Sequence, residues 1–184
     1  MSDFVFVTGN MHKVKWLEKF LGGRVSHKKV DVPELQSPIP AEVLEHKARG
    51  AYDIIKKPIV VDDVSLVFKE WGDMPGTLIK FFVEGPGLEK MCRMLDGFDS
   101  RAAEMRVSYG YYDGKDFHMV SAVMPCSIAQ HPSDLVSGHG FDPIVIPDGY
   151  GEPVAALSED TYMKIAPRGQ AVKQLKLLLD RVAK

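Results

Sequence analysis

Thr8-Gly9-Asn10 closes the short apolar run Asp3–Thr8, and a basic, amphipathic stretch with Lys13 one helical turn in follows at once. A strand running straight into a helix leaves the first helical N–H groups without internal acceptors, and the helix dipole adds partial positive charge there. Gly9 allows a close approach, Thr8 and Asn10 offer polar side chains, and Lys13 offers an ammonium, so the turn suits a phosphate. It equally suits a plain helix start, with Asn10 as cap and the lysines on a solvated face. Neither a Walker A loop nor a G-x-G-x-x-G fingerprint occurs.

Asp62-Asp63 form the second cluster, at the end of the apolar run Pro58–Val61. Carboxyl ends of strands gather ligands in open α/β sheets. Because successive strand side chains face opposite ways, only one of the pair is expected to enter a given site. A hard cation such as Mg²⁺ needs one or two carboxylates plus phosphate oxygens, and Glu34, in a proline-rich loop, can supply the other acid. The plainer alternative has one aspartate capping the next segment and the other solvated.

Weaker signals lie elsewhere. In GHGFDPIVIPDGY, Phe141 offers a stacking face and Asp142 an acceptor between glycines; a turn with a core phenylalanine reads as well. His139 has no second histidine at metal spacing. KIAPRG ends in Arg168, whose planar fork can read a carbonyl or phosphate, or simply face water. Lys47 shares a helical face with Leu44 and Ala51, and Lys80 follows Met74-Pro75-Gly76; either can be a snorkelling surface lysine.

These residues need elements to hold them. From His12 to Leu21 the apolar spacing is helical, with Val14, Leu17 and Leu21 on one face, and Gly22-Gly23 ends the run. Arg24–Val30 alternates loosely, and Asp31–Pro40, with three prolines, is a connection. Ala41–Ile55 returns to helical spacing before the strand that ends in the two aspartates. Ala102–Tyr112 and Phe117–Ala129 read as long strands joined at Asp113-Gly114, a hairpin signal. Gly138–Pro147 is a loop around a short strand, and Gln170–Val182 a final helix. The fold class is α/β with both parallel and antiparallel strands.

Bulk properties exclude several classes. With 184 residues, 45% hydrophobic content and a net charge of −2, the chain is one globular domain without a global basic field. No basic stripe interleaved with aromatics suggests nucleic-acid binding, and no apolar run is long enough to span a membrane. Nor does the N-terminus read as a signal peptide. Cys92 and Cys126 lack metal spacing, which points to a reduced, cytoplasmic setting. No nucleophile motif argues for covalent catalysis.

Taken in order, Thr8, Asn10 and Lys13, V-P-E at Glu34, Lys47, VVDD ending at Asp63, MPGTLIK, GHGFDP and APRG resemble the inosine triphosphate pyrophosphatase family, in register from Phe4 to the final helix. The resemblance implies a mixed, twisted sheet in a single elongated domain over residues 1–184, two lobes with a cleft between them, and usually a homodimer. It implies hydrolysis of inosine, deoxyinosine or xanthosine triphosphate to the monophosphate and pyrophosphate. Thr8, Gly9, Asn10 and Lys13 would then cradle the triphosphate. Glu34 and Asp63 would bind Mg²⁺, and Asp63 would also orient or deprotonate the attacking water. Lys47 and Lys80 would face the phosphates, His139, Gly140, Phe141 and Asp142 would hold the base, and Arg168 would close the pocket.

The chain departs from that pattern around the base. His139 stands where an aromatic residue is usual, Ala166-Pro167-Arg168 where Ser-His-Arg is usual, and Tyr162 where a lysine near the phosphates is common, although Lys164 is close by. Val64 alters the segment after Asp63. Pro167 brings no imidazole and no N–H to the 6-keto group, so base selectivity is expected to be looser or shifted. Two rivals remain: the same reaction on another or broader set of triphosphates, and a nucleotide-binding module without turnover.

Overall fold

The computed structural model describes residues 4–135 and 140–182. A seven-stranded mixed sheet runs in the order β2-β1-β3-β5-β6-β7, with β4 paired to β3 off that path. The strands are β1 (Val5–Val7), β2 (His27–Lys28), β3 (Ile59–Phe68), β4 (Pro75–Gly76), β5 (Ala102–Tyr112), β6 (Phe117–Ile128) and β7 (Val145–Pro147). β1 pairs in parallel with both β2 and β3, whereas β4 on β3 and β7 on β6 are antiparallel. This is the mixed α/β class expected from the alternation of helical and strand periods.

The chain divides into two compact units. Among the described residues, the first unit comprises 4–63, 107–122 and 168–182; the second comprises 64–106, 123–135 and 140–167. In the first, helix α1 (Met11–Leu21) starts where the Asn10 side chain accepts the N–H of His12. It ends at Gly22, whose φ of 74° is the left-handed conformation that glycine adopts without a Cβ penalty. Helix α2 (Pro40–Ile55) begins with proline in the first turn, where its missing N–H costs nothing. Its apolar face, Leu44, Ala48 and Ala51, packs with Val5, Val7, Ile59 and Val61 into one buried cluster. The period of 3.6 in α2 and the continuous apolar run of β3 are two views of that packing.

The second unit has its own core, in which Leu66, Phe68, Ile79, Met91, Met105, Met124 and Ile144 meet Phe141. Helices α3 (Ile79–Glu84), α4 (Leu88–Arg93) and α5 (Glu159–Ile165) belong to it. Cys92 and Cys126 are buried there as free thiols. Burial pushes them up to about 11 and about 12, so both stay protonated and unreactive. Among the described residues, no helix is long and apolar enough to cross a membrane.

Three local expectations change. β3 does not end at Asp62-Asp63 but continues to Phe68, because Leu66, Val67 and Phe68 bury fully on the far side of the acids. The last helix, α6 (Pro167–Val182), starts three residues earlier than Gln170, which puts Arg168 inside its first turn. The short helices α3, α4 and α5 were not expected from the sequence pattern.

Candidate active site

In the first unit, β1 delivers the Thr8-Gly9-Asn10 turn to the start of α1. Thr8 Oγ1 accepts the N–H of Asn10 at 3.1 Å, and Asn10 Oδ1 accepts that of His12 at 2.9 Å. Asn10 is therefore a helix cap, but the cap uses only its oxygen. Its amide nitrogen keeps two donors, so capping and phosphate binding are compatible.

One turn into α1, Lys13 directs its ammonium at Asp62, 3.0 Å from Oδ2. Arg168, from the first turn of α6, reaches the same carboxylate at 2.8 Å and also donates to the Tyr109 hydroxyl at 2.9 Å. Only 1% of the Asp62 side chain is exposed. Burial alone would push this carboxyl up, yet Lys13 and Arg168 together hold it below the usual carboxylate range. Burial also works against the Arg168 charge, but Asp62 and Tyr109 outweigh it and hold the guanidinium protonated. The result is a buried acid clamped by two cations, with all polar atoms satisfied among the described residues.

Asp63 has the opposite character. Strand alternation turns it away from its neighbour. Burial, then the Asp62 charge, push it up to about 6, with Glu34 adding to the rise and Lys13 and Lys47 opposing it. Glu34 is largely exposed, with 55% of its side chain open, and Lys47 approaches it at 3.9 Å. Among the described residues no group of three or more His, Cys, Asp or Glu gathers as a metal cage. Two hard oxygen donors on mutually repelling carboxylates are nevertheless what a Mg²⁺ completed by phosphate oxygens requires.

The remaining sequence-derived candidates lie in the second unit. Val64 is half-buried against its core, and Lys80 sits exposed on α3. Gly140 takes a φ of 68° just before Phe141, which is 7% exposed and belongs to the core. Asp142 opens the short turn Asp142–Ile144. Tyr162, on α5, directs its hydroxyl at Met105 Sδ, 3.9 Å away. Ala166 and Pro167 are buried where α5 gives way to α6. His139 lies outside the described residues. Sequence reasoning missed Asp62 as the clamp and Tyr109 as the second acceptor of Arg168. The only sequence signal for Asp62 was its place in the acidic pair, and Tyr109 gave none.

A family model for the Ham1 family matches residues 4–178. The chain belongs to the Ham1 family. Across it, relatives are similar over nearly their full length. The inosine triphosphate pyrophosphatase of Scheffersomyces stipitis is 32% identical, the alignment covering 96% of this chain and 97% of that one. Inosine triphosphate pyrophosphatase 2 of Trypanosoma cruzi is 34% identical, with 92% and 88% covered. Among solved structures, the HAM1 protein of Coxiella burnetii superposes with a TM-score of 0.83 at 21% identity, covering 98% of this chain and all of that one. At that identity the match speaks for the fold, which is the Ham1 fold.

Proposed function

We propose that this Ham1-family chain is a nucleoside triphosphate pyrophosphohydrolase. It converts inosine triphosphate and related deaminated purine triphosphates to the monophosphate and pyrophosphate, clearing them from the nucleotide pool. The observation that carries the reading is the arrangement in the first unit: a phosphate-suited turn whose lysine is tied to Asp62, next to an acid, Asp63, pushed up to about 6. The full-length similarity to proteins named inosine triphosphate pyrophosphatase supports the choice of substrate.

In this mechanism the turn backbone, Thr8 and the Asn10 amide hold phosphate oxygens, and Lys13 offsets their charge. Asp63, ionised at neutral pH, takes the proton from the attacking water, as a base with a pKa near the working pH does efficiently. Glu34 and Asp63 would hold Mg²⁺, which when bound neutralises charge developing on the leaving pyrophosphate. Lys47 and Lys80 add positive charge, and the Asp62 clamp fixes Lys13 and Arg168 so that little reorganisation is needed. No covalent intermediate is called for. His139, Gly140, Phe141 and Asp142 would hold the base, and Val64, Tyr162 and Pro167 are further substrate-binding candidates. We place the working form in the cytoplasm as a homodimer.

A second reading concerns the base alone. Ala166 and Pro167 are buried and bring no side-chain donor to a 6-keto oxygen. Discrimination against adenine is therefore expected to be shallower than in a site with such a donor.

The test is to incubate the protein with Mg²⁺ and inosine triphosphate and identify the products. Monophosphate plus pyrophosphate, lost on Asp63→Asn, supports the reading; diphosphate plus phosphate, or binding without turnover, sinks it. A panel of inosine, xanthosine, guanosine and adenosine triphosphates then ranks the bases.

A further inference from the structure

Gly9 does not need its conformational freedom, since its φ is not in the left-handed region. What its missing side chain makes room for is Lys29. A Cβ at position 9 would lie 3.2 Å from Lys29 Cδ, 3.4 Å from Cγ and 3.7 Å from Cε. The Lys29 stem thus lies across the phosphate turn, and its ammonium, one bond beyond Cε, sits within roughly 5 Å of the same point. The backbone fixes this placement. β2 pairs with β1 through Phe6 with His27 and Val7 with Lys28, and the Thr8 N–H donates to the Lys28 carbonyl at 3.1 Å.

Charge distinguishes Lys29 from the other cations of the turn. Lys13 and Arg168 are offset by Asp62, and Lys47 lies near Glu34. Among the described residues, Lys29 has no acidic partner. Strand order supplies the direction. β1 lies between β2 and β3, so Lys29 and Asp63 flank the turn from opposite sides, about two strand spacings or ~10 Å apart.

We propose that Lys29 is the contact for the terminal phosphate and the residue that makes the site prefer triphosphates over diphosphates. This rests on reading the Thr8–Lys13 turn as the phosphate cradle. With water activated at Asp63, the phosphate attacked lies on the β3 side of the turn. The chain of leaving phosphates then runs towards β2, where the Lys29 ammonium waits without an acidic partner among the described residues. Gly9 lets the Lys29 stem lie this close, because a Cβ there would press on it at 3.2 Å and it would have to give way.

The experiment measures binding by calorimetry without metal, so that no turnover occurs, using inosine triphosphate, inosine diphosphate and inorganic triphosphate. Lys29→Met keeps the stem and removes the charge; Lys29→Arg keeps the charge; Lys15→Met, on the exposed side of α1, is the control. Lys29→Met is expected to weaken inosine triphosphate roughly tenfold to a hundredfold, as loss of a charged hydrogen bond does, with little change for the diphosphate. Arginine restores most of it. Equal loss for both nucleotides, or no loss, overturns the proposal, and wild-type turnover of inosine triphosphate would then leave the pyrophosphohydrolase reading standing. Should wild type bind inorganic triphosphate through Lys29 but not inosine triphosphate, the proposal holds and the base assignment falls. If wild type binds none of the three, both fall.

Discussion

The two compact units hold their candidate residues by different physics. In the first, Lys13 and Arg168 are aimed by charge, each locked to one buried carboxylate. In the second, Phe141 is sunk in an apolar core, and Tyr162 rests against that core with its hydroxyl on a methionine sulfur. Charge clamps fix where a side chain points and fail abruptly when one partner goes. Packing fixes position through many small contacts and tolerates change of similar volume. Tyr162 and Ala166-Pro167, where the sequence is expected to depart from the family pattern, fall on the packed side, where substitution of similar volume disturbs the fold least.

That contrast can be broken most forcefully at the acids. Asp63→Asn is expected to lower turnover by about 10²–10⁴-fold, the usual worth of a positioned base, read as the rate of pyrophosphate release. The same variant should be more stable than wild type in the absence of metal. The sign follows from the raised carboxyl: the unfolded chain loses this proton near pH ~4 and the folded one only near about 6. Wild-type stability therefore falls as pH rises through that window, and the asparagine variant's melting temperature should not.

Asp62→Asn should act in the opposite direction. Stranding two cations beside a neutral amide is expected to cost about 3–5 kcal/mol, visible as a drop in urea midpoint. Because its carboxyl is held low, the stability it lends is present above the unfolded value of ~3.9 and is lost as pH falls below it. On the packed side, Phe141→Leu should cost about 1–1.5 kcal/mol, a change of shape within one core, and be insensitive to salt. Tyr162→Phe, which removes the long contact to Met105 Sδ, should shift stability by about 1 kcal/mol, well below Asp62→Asn. If Tyr162→Phe instead cost as much as Asp62→Asn, the division between clamped and packed regions would be wrong.

Much of the first unit was legible beforehand. The change of period at His12, the glycine stop at Gly22-Gly23 and the helical face of Leu44, Ala48 and Ala51 all correspond to observed elements, because each is a local rule acting over a few residues. The hairpin at Asp113-Gly114 was equally plain, its Asp113 carboxylate accepting the N–H groups of Lys115 and Asp116. β3 misled because two aspartates inside a buried strand look like its end; only the cations from α1 and α6 make an acid tolerable there. α3, α4 and α5, at six, six and seven residues, are too short for periodicity to declare them. The close approach that Gly9 allows is legible locally, but not that the group a Cβ there would meet is the stem of Lys29, twenty positions away. The clamp itself could not be read, since no local pattern links Asp62 to Tyr109 or Arg168.

Arg168 follows Asp62 by 106 residues. On a ribosome, the strand bearing Asp62 emerges long before the helix turn that supplies its second cation. Until then the carboxylate has Lys13 alone, and the first unit lacks α6 altogether. A chain stopped short of Arg168 would thus not be a weaker version of the finished protein; it would lack one of the two cations that hold the Asp62 carboxyl low. Synthesis order thus matters, in that the two-cation clamp on Asp62 closes only when the segment carrying Ala166-Pro167 has already been made.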